Sequence, residues 1–298
     1  MRFKTHFQST TKNKKNRIAW AFLSVSLIGV FIVGIIPLIN VLQRSLKNPM
    51  ATQFVGLQNY ETVLENNSFH LAAINTLKFI SIGIPALLGL SLLLAVWLRE
   101  LTDQTGKILR TIFLLPMVLP VSSLAFVWKI FFSQYGILNK ILVGIGGTPV
   151  DFIFSDCSFG VLIFTYLWRN FGYAMILWLA AMEGIEDSVY EAAKVDGAGR
   201  FHIFISITLP LLRPASFTII ILSLLNSFKV FRDAYLIAGD YPHQSMYLLQ
   251  HLFNNWFVKM DIGKMTAAAV MVTIIICILT GGLYYGLSKQ ETDRRKKH

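Results

Sequence analysis

The chain has 298 residues, 54% of them hydrophobic and only 14% charged, with a mean hydropathy of +0.57. That balance excludes an ordinary soluble domain and places the chain among proteins whose apolar surface faces lipid or other helices. The net charge of +11 does not describe a nucleic-acid surface, because the basic residues gather in the tails and in short loops between apolar runs.

Residues 1–17 read as a basic cytoplasmic tail carrying Arg2, Lys4, Lys12, Lys14, Lys15 and Arg17. Apolar runs follow over 18–42, 76–98, 111–132, 159–182, 211–233 and 265–287. Each is near the roughly 20 residues that a helix needs to cross a bilayer core. The first is uncharged and longer than the apolar core of a secretory signal, so it reads as an uncleaved span. The sequence therefore predicts an all-α polytopic membrane protein, with a six-helix transmembrane domain over 18–287 and a second basic tail over 288–298. Two cysteines, Cys157 and Cys277, are too few for a disulfide framework, and no Cys/His spacing suits a metal.

An even number of spans puts both termini on one side. With them fall Arg99, Lys107 and Arg110 in one loop, Lys194, Arg200 and Arg213 in another, and Lys289, Arg294, Arg295, Lys296 and Lys297 in the tail. The opposite loops hold only Arg44, Lys47, Lys140, Lys259 and Lys264. The Lys/Arg bias makes the richer side cytoplasmic. Outer loops at 43–75, 133–158 and 234–264 are too short for a soluble domain; Gly146-Gly147-Thr148-Pro149 marks a turn, and Phe253, Trp256 and Phe257 suit an interfacial aromatic belt.

Between the fourth and fifth runs lies a polar stretch over 185–210. Ser188 and Glu191 have the spacing of a capping box, which predicts a helix start there, with Glu191-Ala192-Ala193-Lys194 as good helix formers. Gly197 and Gly199 allow a sharp bend. A second short helix then carries Phe201, Phe204, Ile205 and Thr208 on one stripe, with Pro210 expected to close it. Basic amphipathic helices of this kind often lie on a membrane surface. The offsets from Glu191-Ala192-Ala193 to Gly197, Ile207 and Leu209-Pro210 instead resemble the EAA loop of the permease subunits of bacterial ATP-binding-cassette importers.

That resemblance implies a type I importer permease with a coupling helix between its fourth and fifth spans. Glu191, Ala192, Ala193, Asp196, Gly197, Phe201, Phe204, Ile207, Leu209 and Pro210 would then couple to a separate ATPase dimer. Other stretches are similar to carbohydrate-type permeases: Phe54-Val55-Gly56-Leu57-Gln58-Asn59-Tyr60, Asn75-Thr76-Leu77, Leu115-Pro116 with Pro120 and Trp128, Tyr135-Gly136 with Asn139, and Phe228-Lys229-Val230-Phe231. They look most like the first of two permeases in maltose, lactose or glycerol-3-phosphate type systems. This implies a second, homologous permease as partner, an extracytoplasmic solute-binding protein and a place in the bacterial inner membrane. The family commonly carries proline where this chain has Glu186.

No nucleophile with a base, no paired carboxylates and no GxxxxGK[ST] loop appear, so the chain reads as no enzyme and as needing no cofactor of its own. Polar residues inside spans point to a pathway, because lipid exposure is costly for them. Tyr166, Arg169, Asn170 and Tyr173 share one face of the fourth run, and Ser223 and Asn226, with Asp233 beyond, lie near one face of the fifth. A ring beside amides and a guanidinium suits a sugar; the same residues also serve to bond helices together. Thr266, Thr273 and Thr280 read as a packing row, while Lys78, Lys129, Lys229 and Arg232 read as snorkelling to headgroups. The alternative is a self-sufficient, ion-driven secondary transporter, which needs buried carboxylates where only Glu183 and Asp233 stand at span edges.

Overall fold

The computed structural model describes residues 20, 23–101 and 103–295, so the tail at 1–17 lies outside it. Regular structure among the described residues is helical apart from one antiparallel bridge between Lys47 and Phe54. Among the described residues, five stretches are long and apolar enough to cross a membrane: Leu23–Ser45, Asn67–Arg99, Val121–Gly144, Arg213–Ala238 and Ile262–Gly282. Contacts divide the chain into two units, one running to Glu65 and including Trp256–Ile274, the other made of Asn66–Asn255 and the residues from Ile275 onward.

In the first unit, helix α1 (Leu23–Ser45) widens into a π segment over Phe31–Ile35. The wide turn puts Pro37 in the first turn of the α segment Ile36–Ser45, where its missing N–H is not needed. Helix α2 (Gln58–Leu64) is tied back to the end of α1 by two side chains of the Phe54–Tyr60 segment. The Asn59 amide donates to the carbonyls of Ser45 and Lys47, both at 2.8 Å, and the Tyr60 and Ser45 hydroxyls lie 2.7 Å apart.

The second unit is built on α3 (Asn67–Arg99), whose first N–H groups are capped by Asn66, and α7 (Ser158–Glu183), which packs along it. Trp178 Nε1 of α7 donates to Ser91 Oγ of α3 at 3.0 Å, and Phe79 meets Tyr166 edge-on at 5.0 Å between ring centres. Such interhelical hydrogen bonds are worth about 1 kcal/mol and fix register between otherwise interchangeable apolar surfaces. Helix α4 (Gln104–Val118) crosses α7 at Gly172, where an added Cβ would lie 1.8 Å from the Phe113 carbonyl oxygen. Only glycine permits that approach.

Two expectations change and a third is met in part. The predicted run over 111–132 is not one helix: α4 ends at Val118, its C-cap Leu119 is extended with ψ 138°, and α5 (Val121–Phe132) starts after Pro120. Proline disfavours the helical conformation in the residue before it, which ends α4 there. The apolar crossing stretch is therefore 121–144, including α6 (Ile137–Gly144). The run over 159–182 does form the 26-residue α7, long enough to cross, but it is not one of those five stretches, because Tyr166, Arg169, Asn170 and Tyr173 interrupt its apolar run. The run over 211–233 becomes two helices, α10 (Arg213–Ser227) and α11 (Val230–Ala238), after the short helices α8 (Asp187–Val195) and α9 (Arg200–Leu211).

The chain after α11 returns to the start of α3. The Asn75 amide donates to the carbonyls of Gln244 and Tyr247 at 2.6 and 3.0 Å, and Thr76 Oγ1 accepts from the Leu249 N–H at 3.0 Å. Helix α12 (Leu249–Val258) buries His251, whose Nδ1 accepts from the Leu248 N–H. Burial pushes this imidazole down to about 4. The final helix, α13, runs over Ile262–Arg295.

Candidate functional site

Two polar regions stand out in the second unit. The first is a pocket of about 140 Å³ between α7, the α4–α5 junction and the α10–α11 break. Tyr166, Arg169 and Asn170 enter it from one face of α7, as their helical spacing requires, and Asn226 faces them from α10. Arg169 Nη1 donates to Asp233 Oδ1 at 3.1 Å, with the carboxylate 9% exposed. Asn170 Nδ2 donates to the Tyr166 carbonyl at 2.8 Å, the Tyr166 hydroxyl donates to the Ser223 carbonyl at 3.1 Å, and Lys229 Nζ donates to Asn226 Oδ1 at 3.1 Å.

Of the six residues predicted for a pathway, four line this pocket. Tyr173 does not, and Ser223 contributes only its backbone carbonyl. Tyr166 is 2% exposed, so its ring serves chiefly to hold α7 against Phe79 rather than to offer a stacking face. Lys229 and Arg232, read from the sequence as snorkelling side chains, line the pocket, and Asp233 is its counter-charge rather than an edge residue. The signal was available, since Asn226, Lys229, Val230 and Asp233 recur at helical spacing.

The second region is the bent pair α8 and α9. Helix α8 starts at Asp187, one residue before the predicted cap, with Glu186 in extended conformation as the N-cap. Ser188 is inside the helix and its hydroxyl donates to Glu186 Oε2 at 3.3 Å, so the expected capping box does not form. A capping Ser must keep an extended backbone, and here Glu186 holds that position instead. Gly197 does make the bend, at φ 75°. Past Gly199 the chain winds into α9 through a π segment over Phe204–Thr208, in which the Leu209 N–H bonds to the Phe204 carbonyl. The wider turn resets the register and puts Pro210 in the first turn of the last segment, so α9 continues to Leu211 instead of closing at the proline.

One side of this pair faces the rest of the unit, burying Ala193, Ile203 and Thr208. The other side is open: Glu191, Ala192, Asp196, Gly197, Phe201, Ile205 and Leu209 are exposed, with Phe201 77% accessible. Phe204, Ile207 and Pro210 are half-buried beneath them. Among the described residues the carboxylates of Glu191 and Asp196 have no ion-pair partner. Glu191, Asp196 and Phe201 are therefore all exposed on one bent helical pair.

Residues 87–292 match the family model described as binding-protein-dependent transport system inner membrane component. The chain is 30% identical to the probable ABC transporter permease protein YurN of Bacillus subtilis (strain 168), over 90% of this chain and 95% of that protein. It is 29% identical to the trehalose/maltose transport system permease protein MalF of Thermococcus litoralis, over 91% of this chain and 94% of that one. Its fold resembles that of a chain in the crystal structure of a bacterial ABC transporter involved in the import of the acidic polysaccharide alginate, with a TM-score of 0.81, 22% identity and coverage of 95% and 99%.

Proposed function

The chain belongs to the family of binding-protein-dependent transport system inner membrane components, and on that premise we propose that it is one membrane-spanning half of an ATP-driven importer for a sugar or sugar-like solute. The observation that carries this reading is the open face of α8 and α9. Glu191, Asp196 and Phe201 lie exposed on a bent helical pair, and the sequence carries no GxxxxGK[ST] stretch. The relative named for trehalose and maltose transport supports a carbohydrate as solute.

In this reading α7 counts as a sixth crossing, both termini and the bent pair are cytoplasmic, and the pair seats in a groove of an ATPase dimer as the coupling helix. Phe201 and Phe204 anchor it, Glu191 supplies a polar contact and Gly197 sets the bend. A second, homologous permease completes the pathway and an extracytoplasmic binding protein delivers solute. Arg169, Asn170 and Asn226 then face the solute, and closure of the ATPases rocks the bundle about the pocket. An ion-driven transporter is disfavoured by Asp233, because a carboxylate already held by Arg169 is not free to take up a coupling ion.

Reconstitution tests this directly. Vesicles holding the chain with its co-purifying partners should take up solute only with internal ATP and external solute-loaded binding protein. Uptake by the chain alone on an ion gradient would establish the rival instead.

A further inference from the structure

We propose that Arg99 and Tyr190 form the linkage through which the bent pair α8–α9 moves the helices around the pocket, a role that rests on the docking reading above. Arg99 is the last residue of α3. Its guanidinium lies over the Tyr190 ring, 4.6 Å from the centroid, while Nη1 donates to the Tyr190 hydroxyl at 3.0 Å and Nη2 stands 3.9 Å from the Asp187 carboxylate. The same hydroxyl accepts from Thr208 Oγ1 of α9 at 3.4 Å. One tyrosine of α8 therefore joins both arms of the bent pair to the end of α3.

The arms bury Ala193 and Ile203, but a cleft of about 400 Å³ lined by the end of α3 and by both arms interrupts the boundary, so at that point polar contacts carry a displacement across it. Two such contacts are available, and exposure decides between them. Arg200 lies 3.4 Å from Glu100, but their side chains are 92% and 63% exposed, so water and salt screen that pair. The Arg99 side chain is only 31% exposed and stacks on an aromatic face, which fixes its direction. Beyond Arg99, α3 grips α7 through Ser91–Trp178 and Phe79–Tyr166, and Tyr166 lines the pocket. A shift of the arms thus reaches the pocket through two helices with fixed register.

The test uses the complex with its co-purifying partners in proteoliposomes. In Arg99→Gln and Tyr190→Ala the ATPase should stay bound and basal hydrolysis persist. The stimulation of hydrolysis by solute-loaded binding protein should fall about fivefold or more, within the usual range of coupling between sites. Arg99→Lys should recover part of it, Tyr190→Phe, which keeps the ring under the guanidinium, should lie between, and Glu100→Gln should stay within about twofold of the parent. A second readout separates linkage from folding: in a chain with Cys157→Ser and Cys277→Ser, thiol labelling of Asn226→Cys should depend on ATP, and adding Arg99→Gln should abolish that dependence. Should Arg99→Gln fail to accumulate, Tyr190→Phe carries the same two readouts. Parent-like stimulation and ATP-dependent labelling in these variants would overturn the linkage. A parent complex that carries no ATPase would overturn the docking reading, and the linkage with it.

Discussion

The pocket and the bent helical pair are both polar interruptions of an apolar chain, but they treat their polar groups in opposite ways. In the pocket Arg169 has Asp233, Tyr166 has the Ser223 carbonyl, Asn170 has the Tyr166 carbonyl and Lys229 has Asn226. In the bent pair Glu191 and Asp196 have no ion-pair partner among the described residues, and Phe201 is exposed. Burial explains the pairing of Asp233 and Tyr166, because an unpaired polar group inside a helix bundle is costly while one at a surface is not; the Lys229–Asn226 bond lies at the exposed rim. The pocket satisfies its own polar groups, whereas the face proposed above to dock a partner leaves its side chains exposed.

The strongest way to break this contrast is to unbalance the pocket. Asp233→Ala leaves Arg169 without its carboxylate and should lower stability by about 3 kcal/mol, read as thermal unfolding of the purified protein in detergent. Combining Asp233→Leu with Arg169→Met should recover most of the loss. Acid should act on the same unit by a comparable amount through His251. Its folded value of about 4 lies below the ordinary 6.5, so between these pH values the unfolded chain takes up a proton that the folded one refuses. Stability is therefore complete above pH 6.5 and falls as pH drops toward 4, by about 3 kcal/mol in all, and His251→Gln should flatten that dependence.

The bent pair should respond differently. A Cβ added at Gly197 meets no atom within 4 Å, so the main cost of Gly197→Val is the backbone strain of φ 75° in a branched residue, about 1–2 kcal/mol. The protein should remain folded in the membrane while uptake and ATPase retention fail. Ser188→Ala should do least, changing stability by no more than about 0.5 kcal/mol, because the hydroxyl caps no helix. A loss near that of a true N-cap would restore the capping box.

How far the sequence alone could reach differs in the same two regions. Glycine at 197, exposed Phe201 and the short helices around them follow from local chemistry, and local chemistry is legible in order along the chain. The spacing of Tyr166, Arg169 and Asn170 likewise put them on one face of α7. What could not be read was the meeting of Arg169 with Asp233, 64 positions apart, which depends on how α7 and α11 pack. The π segment over Phe204–Thr208 was hidden for a related reason: it changes register inside a helix whose residue types look ordinary. The break at Leu119-Pro120, by contrast, was present in the sequence, and apolarity over 111–132 masked it. Hydropathy reports where a chain meets lipid; it does not report where the backbone turns.

The most direct test of the central claim is a photocrosslinker placed at position 201, in place of Phe201, in cells that make the whole system. Light should join the chain to a cytoplasmic ATPase, with the yield falling when Gly197→Val is added. Adducts to lipid alone, or none, would show that α8 and α9 rest on the membrane surface and that their exposed anchors serve no ATPase.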